Sequence, residues 1–167
     1  MEKSVIKSSK RACSLAICLW SLYALVFVLR IMRYAGIISF NIYMGIDIAP
    51  IAWYENDPDA QIAQWIELIG YILTTVSVLY LVLRFILATR SGIAANKVFT
   101  RSNTRLLMWL AGILFLHILF TDNIGIIYGS RQVCINASPF ISSMVVLIVA
   151  MLYKMAVSVS EENRLTI

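Results

Sequence analysis

The sequence predicts an all-α membrane protein with four transmembrane helices and both termini in the cytoplasm. Of its 167 residues, 60% are hydrophobic and only 14% are charged, whereas a soluble domain carries about 25% charged and 45–50% apolar residues. The apolar residues fall into blocks of about 18 or more, the length that crosses roughly 30 Å of hydrocarbon as a helix. Basic residues lie between these blocks, where they set the orientation of a membrane protein.

The predicted spans cover residues 12–33, 62–90, 103–122 and 139–158 and form a single domain. The first follows the basic start MEKSVIKSSKR, as a secretory signal would, but its apolar stretch is long for a signal core and no small-x-small site follows closely. We therefore expect an uncleaved first helix, with a cleaved signal as the alternative. Asp57 or Asp59 is expected to cap the second span, and Pro139 suits the first turn of the fourth.

The basic residues are divided unequally between the two sides of the predicted membrane. One side holds the N-terminal tail, the loop between spans two and three and the C-terminal end, with eleven of the fourteen Lys and Arg residues. The other side holds Arg30, Arg33 and Arg131. Since cytoplasmic segments carry the excess of basic residues, both termini are expected there. The net charge of +5 therefore reflects topology and does not indicate nucleic-acid binding.

The two outer loops carry patterns typical of strands. In IISFNIYMGIDIA, apolar side chains occupy every second position from 38 to 48, and a period of two indicates a strand. In IGIIYGSRQVCINAS, β-favouring residues flank Gly129-Ser130, the pattern of a hairpin turn. Because three strands with one apolar face can persist, we predict a small outer β cap. The alternative is a pair of irregular loops in the membrane interface.

The stretch NKVFTRSNTRLLMWLAGILFLHILF, residues 96–120, changes from polar to apolar within one turn. Span two is expected to stop near Gly92, since glycine can take the left-handed conformation that ends helices. Thr100 is expected to cap the next helix by accepting a hydrogen bond from the backbone N–H of Ser102 or Asn103. The stretch is thus explained as the point where the chain enters the membrane.

The neighbours of this cap have expected roles as well. Phe99 is expected to pack back near Thr104 as a hydrophobic staple. Arg101 and Arg105 are expected to place their charged heads among lipid phosphates while their stems stay in apolar surroundings. The alternative to this structural interpretation is a ligand or partner site built on Phe99, Thr100 and Asn103.

A spaced pattern of residues runs from 92 to 112 and consists of Gly92, Phe99, Thr100, Asn103, Arg105, Leu106 and Gly112. The ending EENRLTI places Leu-Thr after acidic residues. Both motifs resemble a family of small bacterial four-span membrane proteins known as domain of unknown function 2975. The resemblance implies a bacterial inner-membrane protein. Some members of that family are encoded beside a helix-turn-helix regulator, which implies a signalling role, but the family has no established activity or catalytic residues.

His117 is the only histidine and lies deep in span three. Ionisable residues inside a membrane are functional candidates, but a neutral imidazole can also be satisfied by a helix backbone or by a Ser or Thr neighbour. A metal site would need further His, Cys or carboxylate ligands. No such set falls near the depth of His117, so we expect neither a metal nor another cofactor.

Four charged residues are expected near the outer interface, and pairing would lower the cost of placing them there: Arg30, Arg33, Glu67 and Asp122. They form either a charged outer binding pocket or side chains that anchor helix ends. The three cysteines show no metal or redox spacing. No disulfide is expected, since Cys13 and Cys18 start span one and Cys134 lies in the outer loop.

These features favour a non-enzymatic inner-membrane protein that acts through contacts, as a sensor, a regulator or an immunity-type protein. Its partners would be the lipid bilayer and a protein bound at the outer cap or the cytoplasmic loop, with the oligomeric state left open. One alternative is a small transporter or channel subunit, which would need oligomers to line a path. Another is a membrane enzyme that uses His117 with Asp122.

Overall fold

A computed structural model describes residues 3–34, 37, 58–95, 97–121 and 137–165 of the chain. Within these ranges the protein is all-α, and it contains no strand: the helices are α1 (Lys3–Tyr34), α2 (Pro58–Ala94), α3 (Arg101–Thr121) and α4 (Phe140–Leu165). The predicted all-α class is confirmed. The alternating stretch at 38–48 and the hairpin around Gly129 lie outside the described residues, so the β cap stays a prediction.

Each helix contains a segment that is long and apolar enough to cross a membrane. These segments are Ser4–Met32, Trp65–Ala94, Arg101–Thr121 and Phe140–Glu162, with mean hydropathies of 1.7 to 2.3. The protein is therefore a multi-pass membrane protein. At 1.5 Å per residue, the 21 residues of α3 rise about 32 Å, close to the thickness of the hydrocarbon. The longer α2 has to tilt or to extend beyond it.

Three helices extend beyond the predicted membrane spans. α1 begins at Lys3, before residue 12, α2 runs to Ala94, beyond residue 90, and α4 runs to Leu165, beyond residue 158. Lys, Arg and Glu are good helix formers, so a charge ends an apolar run without ending the helix. The start of α2 at Pro58 also places Asp59 inside the helix, while Asp57 lies outside the described residues.

Gly92 lies within α2 and does not take the left-handed conformation expected for a helix end. A Cβ at this position would lie 2.7 Å from the carbonyl oxygen of Lys97 and 3.2 Å from Cα of Val98. The backbone N–H of Lys97 donates to the carbonyl of Gly92 at 2.8 Å. The glycine is therefore needed because the connection to α3 folds back onto the end of α2.

The helices are antiparallel neighbours in chain order, α1 on α2, α2 on α3 and α3 on α4. Trp20 Nε1 of α1 donates to the carbonyl of Leu79 on α2 at 2.8 Å, and Ser143 Oγ of α4 donates to that of Ala111 on α3 at 3.0 Å. Of the membrane-crossing segments, α3 is 28% buried and α1 only 6%. α1 is therefore a peripheral helix.

The start of α1, the connection between α2 and α3 and the end of α4 lie at one end of the bundle, which we call the junction end. Here Cys13 of α1 packs with Ile86 and Ile93 of α2 in an apolar cluster. Val98 of the connection packs against the same cluster. The junction end is therefore closed by apolar side chains between α1 and α2.

Candidate functional site

A polar group of side chains, which we call the His117 network, joins three helices and consists of Arg30, Tyr71, Thr74 and His117. Thr74 Oγ1 lies 3.0 Å from His117 Nδ1 and 2.7 Å from the carbonyl oxygen of Gly70. A hydroxyl carries one proton, and the carbonyl can only accept it. Thr74 therefore accepts from His117, which places an imidazole proton on Nδ1. A Thr neighbour, one of the partners suggested for the imidazole, thus contacts this ring nitrogen.

Tyr71 connects this pair to α1. Its side chain is 2% exposed, and its ring centroid lies 5.7 Å from that of His117 and 5.8 Å from that of Phe27. Arg30 Nη1 donates a long hydrogen bond of 3.4 Å to the hydroxyl of Tyr71. One buried aromatic ring thus contacts functional groups of α1 and α3 at the same time.

A cavity of about 380 Å³ opens between α1 and α2 beside the network. Its walls are formed by Leu22, Tyr23, Val26, Phe27, Arg30 and Tyr71. Most of this lining is apolar, while a guanidinium and two phenol hydroxyls stand at the polar end. Pockets that combine apolar walls with a few polar groups are typical of small-molecule sites. The chemistry suits an apolar molecule with an anionic or hydrogen-bond-accepting end.

The structure describes only two of the four charged side chains expected at the outer interface, those of Arg30 and Glu67. Arg30 donates a hydrogen bond to the hydroxyl of Tyr71. Glu67 is partly buried one helical turn before Tyr71 on α2. The side chain of Arg33 and the whole of Asp122 lie outside the described part of the chain. Which of the four charged residues pair with one another therefore stays a prediction.

The junction end is held together by Asn103, whose side chain is 2% exposed. Its Nδ2 donates to the carbonyl of Val98 at 3.2 Å and to the hydroxyl of Tyr153 at 3.1 Å. The Tyr153 hydroxyl in turn donates to the same Val98 carbonyl. The backbone N–H of Asn103 donates to Thr100 Oγ1 at 3.2 Å, which confirms the predicted cap at Thr100. This stretch ties α3 to α4.

Two neighbours of this cap make contacts that the sequence analysis did not anticipate. The ring of Phe99 packs against Tyr153 of α4, with centroids 5.1 Å apart. Arg101 forms a bidentate pair with Glu161 of α4, with Nε–Oε1 at 3.0 Å and Nη2–Oε2 at 2.7 Å. The expected staple near Thr104 and the expected contact of Arg101 with lipid phosphates stay predictions. Both observed contacts join the start of α3 and the residues just before it to α4.

Sequence reasoning missed the two tyrosines that organise these sites. Tyr71 and Tyr153 stand in apolar runs and fit the period of a core face, so they do not stand out from neighbouring aromatics. A buried tyrosine normally needs a hydrogen-bond partner for its hydroxyl. The available signal was therefore a tyrosine well inside a span, away from the membrane interface where this residue is enriched.

The described residues offer few ligands for a metal ion. Among them, no group of three or more His, Cys, Asp or Glu side chains is placed to hold one. Cys13 is buried, Cys18 is exposed, and both are free thiols. The chemistry of the site thus comes from a guanidinium, hydroxyls and one imidazole.

The fold and its sites define an all-α, multi-pass membrane protein with a polar network inside its helix bundle. No family model, curated protein or solved structure matches this chain. The resemblance carried by the motifs at 92–112 and at the C-terminus therefore stays a prediction, and the function has to be argued from geometry.

Proposed function

We propose that this chain is a bacterial inner-membrane protein, with both termini in the cytoplasm, that acts without catalysis through contacts, as a sensor, a regulator or an immunity-type protein. We assign it to the four-span family that its motifs resemble. The observation that carries the functional proposal is the His117 network, which joins three helices beside a cavity.

The first step of the argument is that α1 is held lightly. It packs on α2, and only 6% of its membrane-crossing segment is buried. Its described hydrogen bonds to α2 include those of Trp20 to Leu79 and of Arg30 to Tyr71. A molecule with an acceptor group in the cavity would compete for the guanidinium of Arg30. Such a ligand interacts differently with the docked and undocked positions of α1, which is the requirement for shifting their populations.

The second step connects this event to the junction end. Cys13 of α1 packs against Ile86 and Ile93, and Val98 packs against the same cluster. The carbonyl of Val98 is the acceptor that both Asn103 and Tyr153 use. A displacement of α1 would therefore disturb the connection that precedes α3. With that end in the cytoplasm, the connection is the surface to which a cytoplasmic protein partner would bind. The outer β cap would offer a second binding surface on the other side of the membrane.

Transport is less well supported by the described residues. A transporter or channel subunit needs a polar path, but Cys13, Ile86 and Ile93 close the junction end between α1 and α2. The hydroxyl of Ser77 bonds within its own helix to the carbonyl of Leu73 at 2.8 Å. An enzyme that uses His117 with Asp122 depends on a residue outside the described part of the chain. Contacts are therefore the function that the geometry favours.

The experiment places a photo-crosslinking amino acid at Lys97, an exposed position of the connection, in living cells. We expect one discrete protein adduct that changes at least about threefold in yield when Tyr71→Phe removes the hydroxyl that Arg30 contacts. Ser77→Ala is the matched control, since its hydroxyl bonds only within α2, and it should leave the adduct unchanged.

Two results would contradict the proposal. One is an adduct that responds equally to Tyr71→Phe and Ser77→Ala, because the network would then not be coupled to the junction end. The other is solute flux through liposomes that contain only the purified chain, which would support the transport alternative.

A further inference from the structure

We infer that α3 and α4 form a binding site for the phosphate group of an anionic glycerophospholipid, with the headgroup in a basic pocket and an acyl chain in an adjoining groove. The basic pocket is a cavity of about 380 Å³ at the junction end. It is lined by Arg101, Thr104, Arg105, Lys154, Val157, Ser158 and Glu161. This inference concerns a different part of the molecule from the His117 network and does not rest on the proposed function.

The charges of the basic pocket favour an anion. The lining contains three basic side chains and one carboxylate. The bidentate pair of Arg101 with Glu161 neutralises one positive and the one negative charge. Arg105 and Lys154 therefore bring an excess of two positive charges. Basic pockets between transmembrane helices suit anionic lipid headgroups, and a guanidinium matches phosphate geometry.

The inner wall of the pocket is formed by two buried side chains. Thr104 and Val157 are 9% and 5% exposed, so they separate the cavity from the space between the helices. Thr104 Oγ1 is already held by the carbonyl of Thr100 at 3.4 Å. A cavity of about 380 Å³ is far larger than the roughly 30 Å³ that one water occupies in the liquid. It has room for a phosphate with its attached glycerol.

Along α3 the residues of the basic pocket are followed by an apolar position and an open one, which we infer to line the groove. Helical spacing places Arg101, Arg105, Met108 and Gly112 on one face of the helix. A Cβ at Gly112 would have no heavy atom within 4 Å, so this position is open. From Arg105 to Gly112 the helix rises about 10 Å, which is enough for the first part of an acyl chain.

The facing helix carries the same change from polar to apolar. Ser158, Lys154, Met151 and Leu147 follow one another at helical spacing on α4. Met151 and Leu147 are 52% and 39% exposed, and the flexible thioether of Met adapts to irregular apolar partners. A free phosphate ion would use the basic pocket alone. The exposed apolar positions that follow the pocket on both helices suit an acyl chain, and this favours a lipid over a soluble phosphate.

The test uses the full chain, purified in detergent and offered equal amounts of phosphatidylglycerol and phosphatidylcholine, with bound lipid counted by native mass spectrometry. We expect one retained phosphatidylglycerol. Because each basic residue contributes about fivefold to binding an anionic lipid surface, Arg105→Gln with Lys154→Gln should lower its occupancy by about 20-fold. Arg90→Gln, an exposed cation on α2 outside the pocket, is the matched control and should change it less than about twofold.

Gly112→Leu distinguishes the two sources of phosphate. Since the position is open, the variant should unfold at the temperature of the wild type while it retains about tenfold less phosphatidylglycerol. Equal retention of the two lipids, or retention that survives the double substitution, would overturn the inference. So would inorganic phosphate that displaces the lipid equally from the wild type and from Gly112→Leu, because a soluble anion would then be the ligand.

Discussion

Asn103 provides a sharp test of the junction end, because its side chain donates two hydrogen bonds while it is almost completely buried. Asn103→Ala removes both bonds. Hydrogen bonds between membrane helices contribute about 0.6 kcal/mol on average and about 1.7 at most, so the free energy of unfolding should fall by about 1–3 kcal/mol. The loss is limited because the carbonyl of Val98 keeps its bond from Tyr153, and no buried acceptor is orphaned.

Asn103→Asp has the same shape and the opposite hydrogen-bonding character. It removes both N–H donors and turns a carboxylate oxygen toward the carbonyl oxygen of Val98, which can only accept. A buried acceptor without a donor and a buried charge both carry a large desolvation cost. We therefore expect Asn103→Asp to lower the unfolding free energy by about 2 kcal/mol more than Asn103→Ala does, although it changes the volume far less.

The measurement is unfolding in mixed micelles with increasing denaturing detergent, followed by circular dichroism at fixed pH. Ser102→Ala is the control on the exposed side of the same helical turn, and its effect should stay within about 0.5 kcal/mol. If Asn103→Asp is no worse than Asn103→Ala, the donor assignment is wrong. If Asn103→Ala matches Ser102→Ala, the hydrogen bonds contribute nothing.

Three further outcomes are expected from contacts between neighbouring helices, and each is measured by the same unfolding assay. A Cβ at Gly70 would lie 2.2 Å from Cδ1 of Phe120, so Gly70→Ala should cost about 1–3 kcal/mol; Phe120→Leu in the same chain should recover part of that, and simple additivity would refute the contact. Thr74→Val removes the acceptor of His117 Nδ1 and should cost about 1 kcal/mol, whereas Thr74→Ser should cost less than half of that; equal costs would show that the hydroxyl is irrelevant. Trp20→Phe removes the indole donor to Leu79 and should cost about 1 kcal/mol, and no loss would show that α1 is not held there.

The number of helices could be predicted because apolar blocks of membrane-spanning length are a property of local sequence. The ends of those helices could not, since residues such as Lys7 and Glu161 favour a helix as well as a loop. Gly92 shows the same limit from the other direction. The sequence around Gly92 predicted the end of a helix. The structure shows that a glycine is needed there because the backbone of Lys97 and Val98 approaches it closely.

The cap at Thr100 could be predicted because its two partners, Thr100 and Asn103, are only three positions apart in sequence. The partners of Asn103 and of His117 could not be predicted in the same way. Tyr153 is 50 residues from Asn103, and Thr74 is 43 residues from His117. Such pairs depend on which helices pack together and in what register, and the hydropathy of a single span predicts neither property.

The orientation of the bundle is the claim on which the proposed roles of the connection depend, and paired reporter fusions test it most directly. Alkaline phosphatase, which is active only outside the cytoplasm, would be fused after Ile167 in one strain and inserted at Gly129 in another. With eleven of fourteen basic residues on the junction side, we predict no activity at Ile167 and strong activity at Gly129. Strong activity at Ile167 would contradict the orientation and would place the connection between α2 and α3 outside the cell membrane.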